Sequence, residues 1–184
     1  MSTQASAMQV AQYIQQKGVY GDTQLQKLLY YAQGWTLAWF GKMLFQDEIE
    51  AWQGGPVVPE VWAAGKSGNL ARTTAGELPP AQKAVVDAVY DCYGNHGGRA
   101  LSERTHQEQP WKDARGDLGP GQRSSQPISR RTMRRFFTEV ALSGEGLIPT
   151  APVIKSDADG DKVRNVTTEQ LARWSDALAA LAKQ

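Results

Sequence analysis

The side chains with the clearest chemical potential lie between residues 91 and 106. His96 and His106 are the two histidines of the chain, and Asp91 and Glu103 are close to them in sequence. Imidazole and carboxylate groups bind Zn²⁺, but a closed zinc site needs four ligands and this spacing follows no known ligand pattern. We therefore interpret both histidines as structural residues and predict no metal site.

A nucleophile, a base and an orienting carboxylate can also be drawn from Ser102, His106 and Glu103. However, Ser102 and His106 are four residues apart, a spacing that only places them on one face of a helix. No G-x-S-x-G sequence surrounds the serine. The sequence therefore predicts a protein that is not an enzyme, in which Thr105 and His106 brace a short helix against Trp111.

Two glycine-rich segments, residues 54–56 and 116–121, are candidates for phosphate-binding loops. Neither has the lysine and hydroxyl residue of such a loop, and neither opens a β-α-β unit. We therefore predict that the protein binds no cofactor.

The bulk composition predicts one domain without a global electrostatic bias. The chain has 184 residues, 41% of them hydrophobic, and its formal net charge is only +1. Such a charge does not draw the whole protein to nucleic acid or to a membrane. Cys92 is the single cysteine, which fits a reducing compartment, and neither a signal peptide nor an apolar run of membrane-spanning length is present. We expect a cytoplasmic protein that contacts no membrane.

Hydrophobic periodicity predicts a mainly α, compact single-domain helical bundle with a short hairpin or irregular strand. A short strand is expected at residues 49–52, and the glycine-rich residues 112–127 are expected to form a long flexible loop. The predicted helices are residues 5–17, from a cap at Asp22 to Gly41, from Pro59 toward Gly65, from Pro80 to Gly94, residues 100–106, and from a cap at Ser129 to Gly144 or Gly146.

The C-terminal tail has its own predicted elements. Asp159 and Gly160 favour the turn of a hairpin, and Thr167 with Gln170 forms a capping box that opens a helix. The apolar stripe of that helix either closes the core of the domain or contacts a second copy or another protein. The stripe consists of Leu171, Trp174, Leu178 and Leu181.

Four arginines form a positive stripe on the helix that follows Ser129. Arg130, Arg131, Arg134 and Arg135 fall on adjacent turns, opposite the apolar residues of the helix. A solvated helix face explains such a stripe, but arginine also suits bidentate pairing with carboxylates or phosphates. Both interpretations stay open, and Arg130, Arg131 and Arg134 are predicted as partner-binding residues.

Three tryptophans lie near glycine and proline turns, where a binding surface can form. Pro56 and Pro59 stiffen the turn between two of them, so that little ordering entropy is lost when a partner binds. The alternative, that this turn only packs two helices together, stays open. The predicted partner-binding residues here are Trp52, Pro56, Val57, Trp62 and Trp111.

Three segments, taken together, resemble a known family. They read LQKLLYYAQGW from Leu25, EAWQGGPVVPEV from Glu50 and LSERTHQEQPW from Leu101. In this order they are similar to the motifs of the Panacea domain, also described as SocA-like or phage-associated GepA-like. The resemblance runs from about Met8 to Phe137. One departure is Gly54, where the family commonly has an aromatic or other bulky residue.

The resemblance implies an antitoxin, encoded beside a toxin gene in bacteria, phages or prophages, that neutralises the toxin by direct binding. A related branch implies an adaptor that presents the toxin to a AAA+ protease. Regulation of its own operon by DNA binding and formation of a homodimer are further alternatives. We assign residues 1–146 to the Panacea domain and residues 147–184 to a C-terminal extension.

Overall fold

The computed structural model describes residues 5–72, 75–119 and 121–154 of the chain, and these ranges are mainly helical. The predicted fold class is thereby confirmed. The predicted hairpin around Gly160 and the helix from Thr167 lie outside the described residues. The elements, in order, are α1 Ala7–Gln16, α2 Asp22–Phe40, β1 Glu50–Trp52, β2 Gly55–Val57, α3 Pro59–Lys66, α4 Pro80–Tyr93, α5 Gly98–Thr105, α6 Gln109–Arg115 and α7 Arg130–Ser143.

These elements all belong to the first of the two compact units of the chain, residues 1–152 and residues 153–184. The division after residue 146 stays a prediction. None of the helices in the described ranges combines the length and the apolar content that crossing a bilayer requires.

Helix α2 is the centre of the fold. Every residue from Leu25 to Leu37 is buried, because α1, α3, α4, α5 and α7 all pack around this helix. It ends at Gly41, which adopts the left-handed conformation that glycine tolerates best. Its N-cap is Gly21 and not Asp22, so the predicted cap is wrong. Asp22 is the first helical residue, and its carboxylate pairs with Lys66 at 2.7 Å.

Aromatic rings join α2 to α4 and α7. Tyr31 stacks on Tyr93 with ring centroids 4.1 Å apart, and Trp35 meets Phe137 edge to face at 5.2 Å. Helix α7 comes so close to α2 that a Cβ atom added at Gly34 would lie 2.1 Å from Cε2 of Phe137. The lack of a side chain at Gly34 therefore sets how closely these two helices pack.

The segment predicted as a long flexible loop begins with a helix that the sequence pattern did not indicate. Pro110 lies in the first turn of α6, where its missing N–H costs no hydrogen bond, whereas α5 already ends at Thr105. The buried Arg115 then donates hydrogen bonds to the carbonyl oxygens of Gly119 and Gln122, at 2.9 and 2.8 Å. These bonds tie down the chain that follows α6.

A short third segment of the chain pairs with the hairpin. Strands β1 and β2 are antiparallel with Ala51 opposite Pro56, and the strand predicted at residues 49–52 is confirmed as β1. On its other side, β1 is bonded to residues 126–128, through Ala51 N to Gln126 O at 2.8 Å and Ile128 N to Ile49 O at 2.7 Å. The chain leaving α6 is thereby bound to the hairpin before α7 begins.

Replacing Gly34 by valine tests the close contact between α2 and α7. We expect Gly34→Val to lower the free energy of unfolding by about 1–3 kcal/mol or more, because the added methyl groups overlap the Phe137 ring. Urea denaturation measures the change. Gly121→Val is the control, since nothing lies within 4 Å of a Cβ atom there, and it should stay within about 0.5 kcal/mol of wild type. Equal stability of the two variants would contradict this account.

Candidate protein-binding site

Polar side chains of α2 bind the backbone of β2 and of the residue that follows it. Lys27 is 1% exposed, and its ammonium group donates to the carbonyl oxygen of Pro56 at 3.0 Å. Gln26 is equally buried and accepts a hydrogen bond from the N–H of Val58 at 2.8 Å. An unpaired backbone group in this position would cost free energy, so these two bonds fix where the chain leaves the hairpin.

The turn of the hairpin is held from α5 and α6. The hydroxyl of Ser102 donates to the carbonyl oxygen of Gly54 at 2.7 Å, and the indole N–H of Trp111 donates to that of Trp52 at 2.9 Å. Arg115 adds a bond to the carbonyl oxygen of Ala51 at 3.2 Å. Side chains from three helices therefore bind the backbone of one eight-residue hairpin, residues 50–57.

The two glycines of the turn have opposite requirements. Gly55 has a φ of +100°, and a Cβ atom there would lie 2.7 Å from Cε of Lys27 and 2.8 Å from the hydroxyl of Thr105. Both the backbone conformation and the lack of space demand glycine at this position. Gly54 has no such φ, and nothing lies within 4 Å of a Cβ atom built on it. A side chain at residue 54 would extend into open space.

The predicted binding residues of this region divide into a buried and an exposed group. Pro56, Val57 and Trp111 are buried, so their side chains offer a partner little accessible surface, and their direct contact with a partner stays a prediction. Pro56 and Val57 belong to β2 itself, and Trp111 binds the hairpin backbone from α6. Trp52 and Trp62 are half-buried and meet edge to face, with ring centroids 5.9 Å apart.

Beside Trp52 the surface opens into a cleft of about 510 Å³. The indole N–H of Trp52 donates to the carboxylate of Glu50 at 2.6 Å, which sets the orientation of the ring. We call this feature the hairpin cleft, and its lining residues are Glu50, Trp52, Gln53, Gly54, Arg123, Ser124 and Ser125. Sequence reasoning assigns no role to residues 123–125, because nothing in their pattern marks an exposed loop as the wall of a cleft.

The arginine stripe is exposed but is partly bound to its own domain. Arg130 donates to the carbonyl oxygen of Gln46, and Arg134 lies next to the C-terminal end of α2 at Gly41. Arg130 and Arg131 line a second cleft, of about 420 Å³, together with Asp47 and Glu48. The structure therefore does not bring the stripe into the hairpin cleft.

The groups that suggested catalysis have structural contacts. The ring of His106 packs on Trp111 with centroids 4.4 Å apart, as the bracing role of this pair requires. Burial, reinforced by the charges of Lys27 and Arg115, lowers the pKa of His106 below its usual value. The Ser102 hydroxyl is engaged with the hairpin turn. In the described ranges, no three histidine, cysteine or acidic side chains lie close enough together to hold a metal ion.

One buried carboxylate is not apparent from the sequence. Glu108, between α5 and α6, accepts a hydrogen bond from the hydroxyl of Tyr31 at 3.0 Å and lies 3.6 Å from Nε of Arg104. Burial raises its pKa to about 7. The contact ties the α5–α6 connection to α2, and therefore supports Trp111 behind the hairpin.

Exchanging each of the two adjacent glycines for alanine tests the requirement for glycine. We expect Gly55→Ala to lower the free energy of unfolding by about 2 kcal/mol or more, since it combines backbone strain with overlap on Lys27 and Thr105. Gly54→Ala should change it by less than about 0.5 kcal/mol. Thermal and urea denaturation provide both values. A destabilised Gly54→Ala, or a neutral Gly55→Ala, would refute this reading of the turn.

The buried Lys27 predicts a pH dependence. Burial lowers its pKa to about 7, whereas a lysine in an unfolded chain has a pKa of about 10.4. Between these values the unfolded chain binds more protons than the folded protein, so the Lys27 contribution makes the free energy of unfolding rise with pH. Lys27→Met should flatten this rise in urea denaturation between pH about 7 and about 10. The exposed Lys42→Met should keep the wild-type slope. A Lys27→Met protein with that same slope would argue against the shifted pKa.

Comparison with known proteins finds one family that the sequence matches. Residues 25–112 match the family described as "Antitoxin SocA-like, Panacea domain". No curated protein and no solved structure matches the chain. The matched segment contains the three sequence motifs, which are the segments that supply Lys27, the hairpin itself and Trp111. Over residues 25–112, which are 88 of the 184 residues, the chain is therefore similar to the Panacea domain of SocA-like antitoxins.

Proposed function

We propose that this protein is a cytoplasmic antitoxin that neutralises its toxin by binding it directly, with the hairpin as the contact surface. The family supports an antitoxin role in general. The observation that carries the proposal is the anchoring of the hairpin backbone by Lys27, Ser102 and Trp111. An exposed turn held in this way loses little conformational entropy when a partner binds to it.

Trp52 and Trp62 are the side chains that meet the toxin in this proposal. Each is half-buried, so a flat aromatic surface is exposed while the rest of the ring is held by its neighbours. Lys66 lies over the Trp62 ring at 4.6 Å and limits its rotation. Preorganised tryptophans are typical of the residues that dominate binding energy at protein interfaces. The buried Pro56, Val57 and Trp111 hold the two tryptophans in place.

The arginine stripe is a second contact region in the proposal. Arg131 has no carboxylate partner among the described residues, and Arg130 is still exposed. Arg130 already donates to a backbone carbonyl of its own domain, and Asp47 and Glu48 share its cleft. A single carboxylate of a protein surface is therefore favoured over the continuous negative charge of nucleic acid. This argues against autoregulation through DNA binding by the stripe.

Blocking of the toxin and its delivery to a AAA+ protease both begin with the same binding step. They differ in the amount of toxin that persists in the cell. If the antitoxin blocks, toxin abundance stays constant while toxicity disappears. If it delivers, toxin abundance falls, and removal of the protease restores toxicity.

The binding proposal is tested with the product of the gene next to this one. Expressed alone, that product should stop growth, and co-expression with this protein should restore growth and give a complex in size-exclusion chromatography. Trp62→Ala should weaken the complex at least about tenfold, because it removes an exposed aromatic contact. Tyr20→Ala is the control, since Tyr20 is an aromatic residue that is 78% exposed and lies in the α1–α2 connection, outside the hairpin and α3. A harmless neighbouring product, or one that does not co-elute, would exclude the antitoxin function.

A further inference from the structure

The hairpin cleft forms where a strand pairing stops. Residues 126–128 run antiparallel to β1, and the last bond of that pairing joins Ala51 N to Gln126 O. Beyond it, Arg123 and Ser125 diverge from Trp52, and the space between them is the cleft. The main-chain groups of residues 123 and 125 form no hydrogen bond with another described residue, and both residues line the cleft.

The lack of a side chain at Gly54 keeps this cleft open. Gly54 is a cleft-lining residue, yet neither its backbone conformation nor the space around it requires glycine. Its neighbour Gly55 shows the contrast, because glycine is needed there for the fold. Any larger residue at position 54 would start inside or beside the cleft and reduce the space next to the exposed Trp52 indole.

The charges at the cleft favour a particular kind of ligand. The exposed Arg123 has no carboxylate partner among the described residues, whereas the carboxylate of Glu50 already accepts the indole N–H of Trp52. Glu50 keeps its negative charge, because the indole N–H that it accepts is neutral. The cation of the cleft is Arg123, which lines it together with the apolar ring of Trp52. A ligand that matches both has a carboxylate next to an apolar group. A continuous phosphate backbone matches less well, because it would pass the negative charge of Glu50.

We propose that the hairpin cleft binds an extended segment of the protein partner, with one carboxylate at Arg123 and one apolar side chain against Trp52 above Gly54. The segment forms main-chain hydrogen bonds with residues 123–125 and so continues the strand pairing that ends at Ala51. Gly54 then determines specificity, since its missing side chain admits that of the partner. This inference rests on the proposed function, because it takes the toxin as the partner.

Calorimetric titration of the full-length protein with the purified product of the neighbouring gene tests this assignment. Gly54→Tyr should raise the Kd at least about tenfold by filling the cleft. Gly97→Tyr is the matched control, since a Cβ atom at Gly97 also meets nothing within 4 Å and its φ is not positive, and it should bind as wild type does. Circular dichroism and thermal denaturation should show that both variants fold like the wild-type protein.

Charge reversal tests the predicted carboxylate. Arg123→Glu should also raise the Kd at least about tenfold, and replacing the matching acidic residue of the partner by lysine should restore binding to this variant. Hydrogen exchange in the wild-type complex should show protection of the amides of residues 123–125. Tight binding by Gly54→Tyr, or unchanged exchange at residues 123–125, would overturn the cleft assignment while leaving the antitoxin function intact. Absence of binding by the wild-type protein would overturn both.

Discussion

The buried ammonium group of Lys27 is the contact on which the geometry of the hairpin depends. It lies under the turn between the Pro56 carbonyl oxygen and the position where Gly55 has no side chain. Burying such a group without a carboxylate is costly, as the lowered pKa of Lys27 indicates. The hydrogen bond to Pro56 recovers part of that cost only if the hairpin stays in place. The hairpin is therefore coupled to the most buried helix of the fold.

Side-chain hydrogen bonds also hold the hairpin from its other side. Ser102 and Trp111 bind the backbone of the turn from outside α2, and Glu108 ties the segment that carries them back to Tyr31. Lys27, Ser102, Trp111 and Glu108 thus form a connected support, in which each side chain has a hydrogen-bond partner on another element. Such a support can hold one loop rigidly while part of the Trp52 ring stays exposed. A binding domain needs this separation between frame and surface.

Much of the fold could be predicted from residue patterns, and the errors have identifiable causes. The helices are recognisable because apolar periodicity and capping signals act over a few residues, as at Ser129, whose hydroxyl accepts from Thr132 N–H. Helix α6 is not predicted, because a proline can mark the end of a helix or occupy its first turn. At Pro110 the sequence pattern favours the first interpretation, and the structure shows the second. The predicted N-cap of α2 is wrong because the actual partner of the Asp22 carboxylate, Lys66, is distant in sequence.

The candidate site was predictable in its location but not in its accessible side chains. The sequence by itself determined the helices other than α6, the rigid turn at Pro56 and the three motifs that resemble a Panacea domain, since these depend on local propensity and on residue identity. Only the tertiary structure decided that Val57 and Trp111 face inward, that Gly54 differs from Gly55, and that Arg123 lies across a cleft from Trp52. Burial and clefts depend on contacts between residues far apart in sequence, and local periodicity carries no information about them.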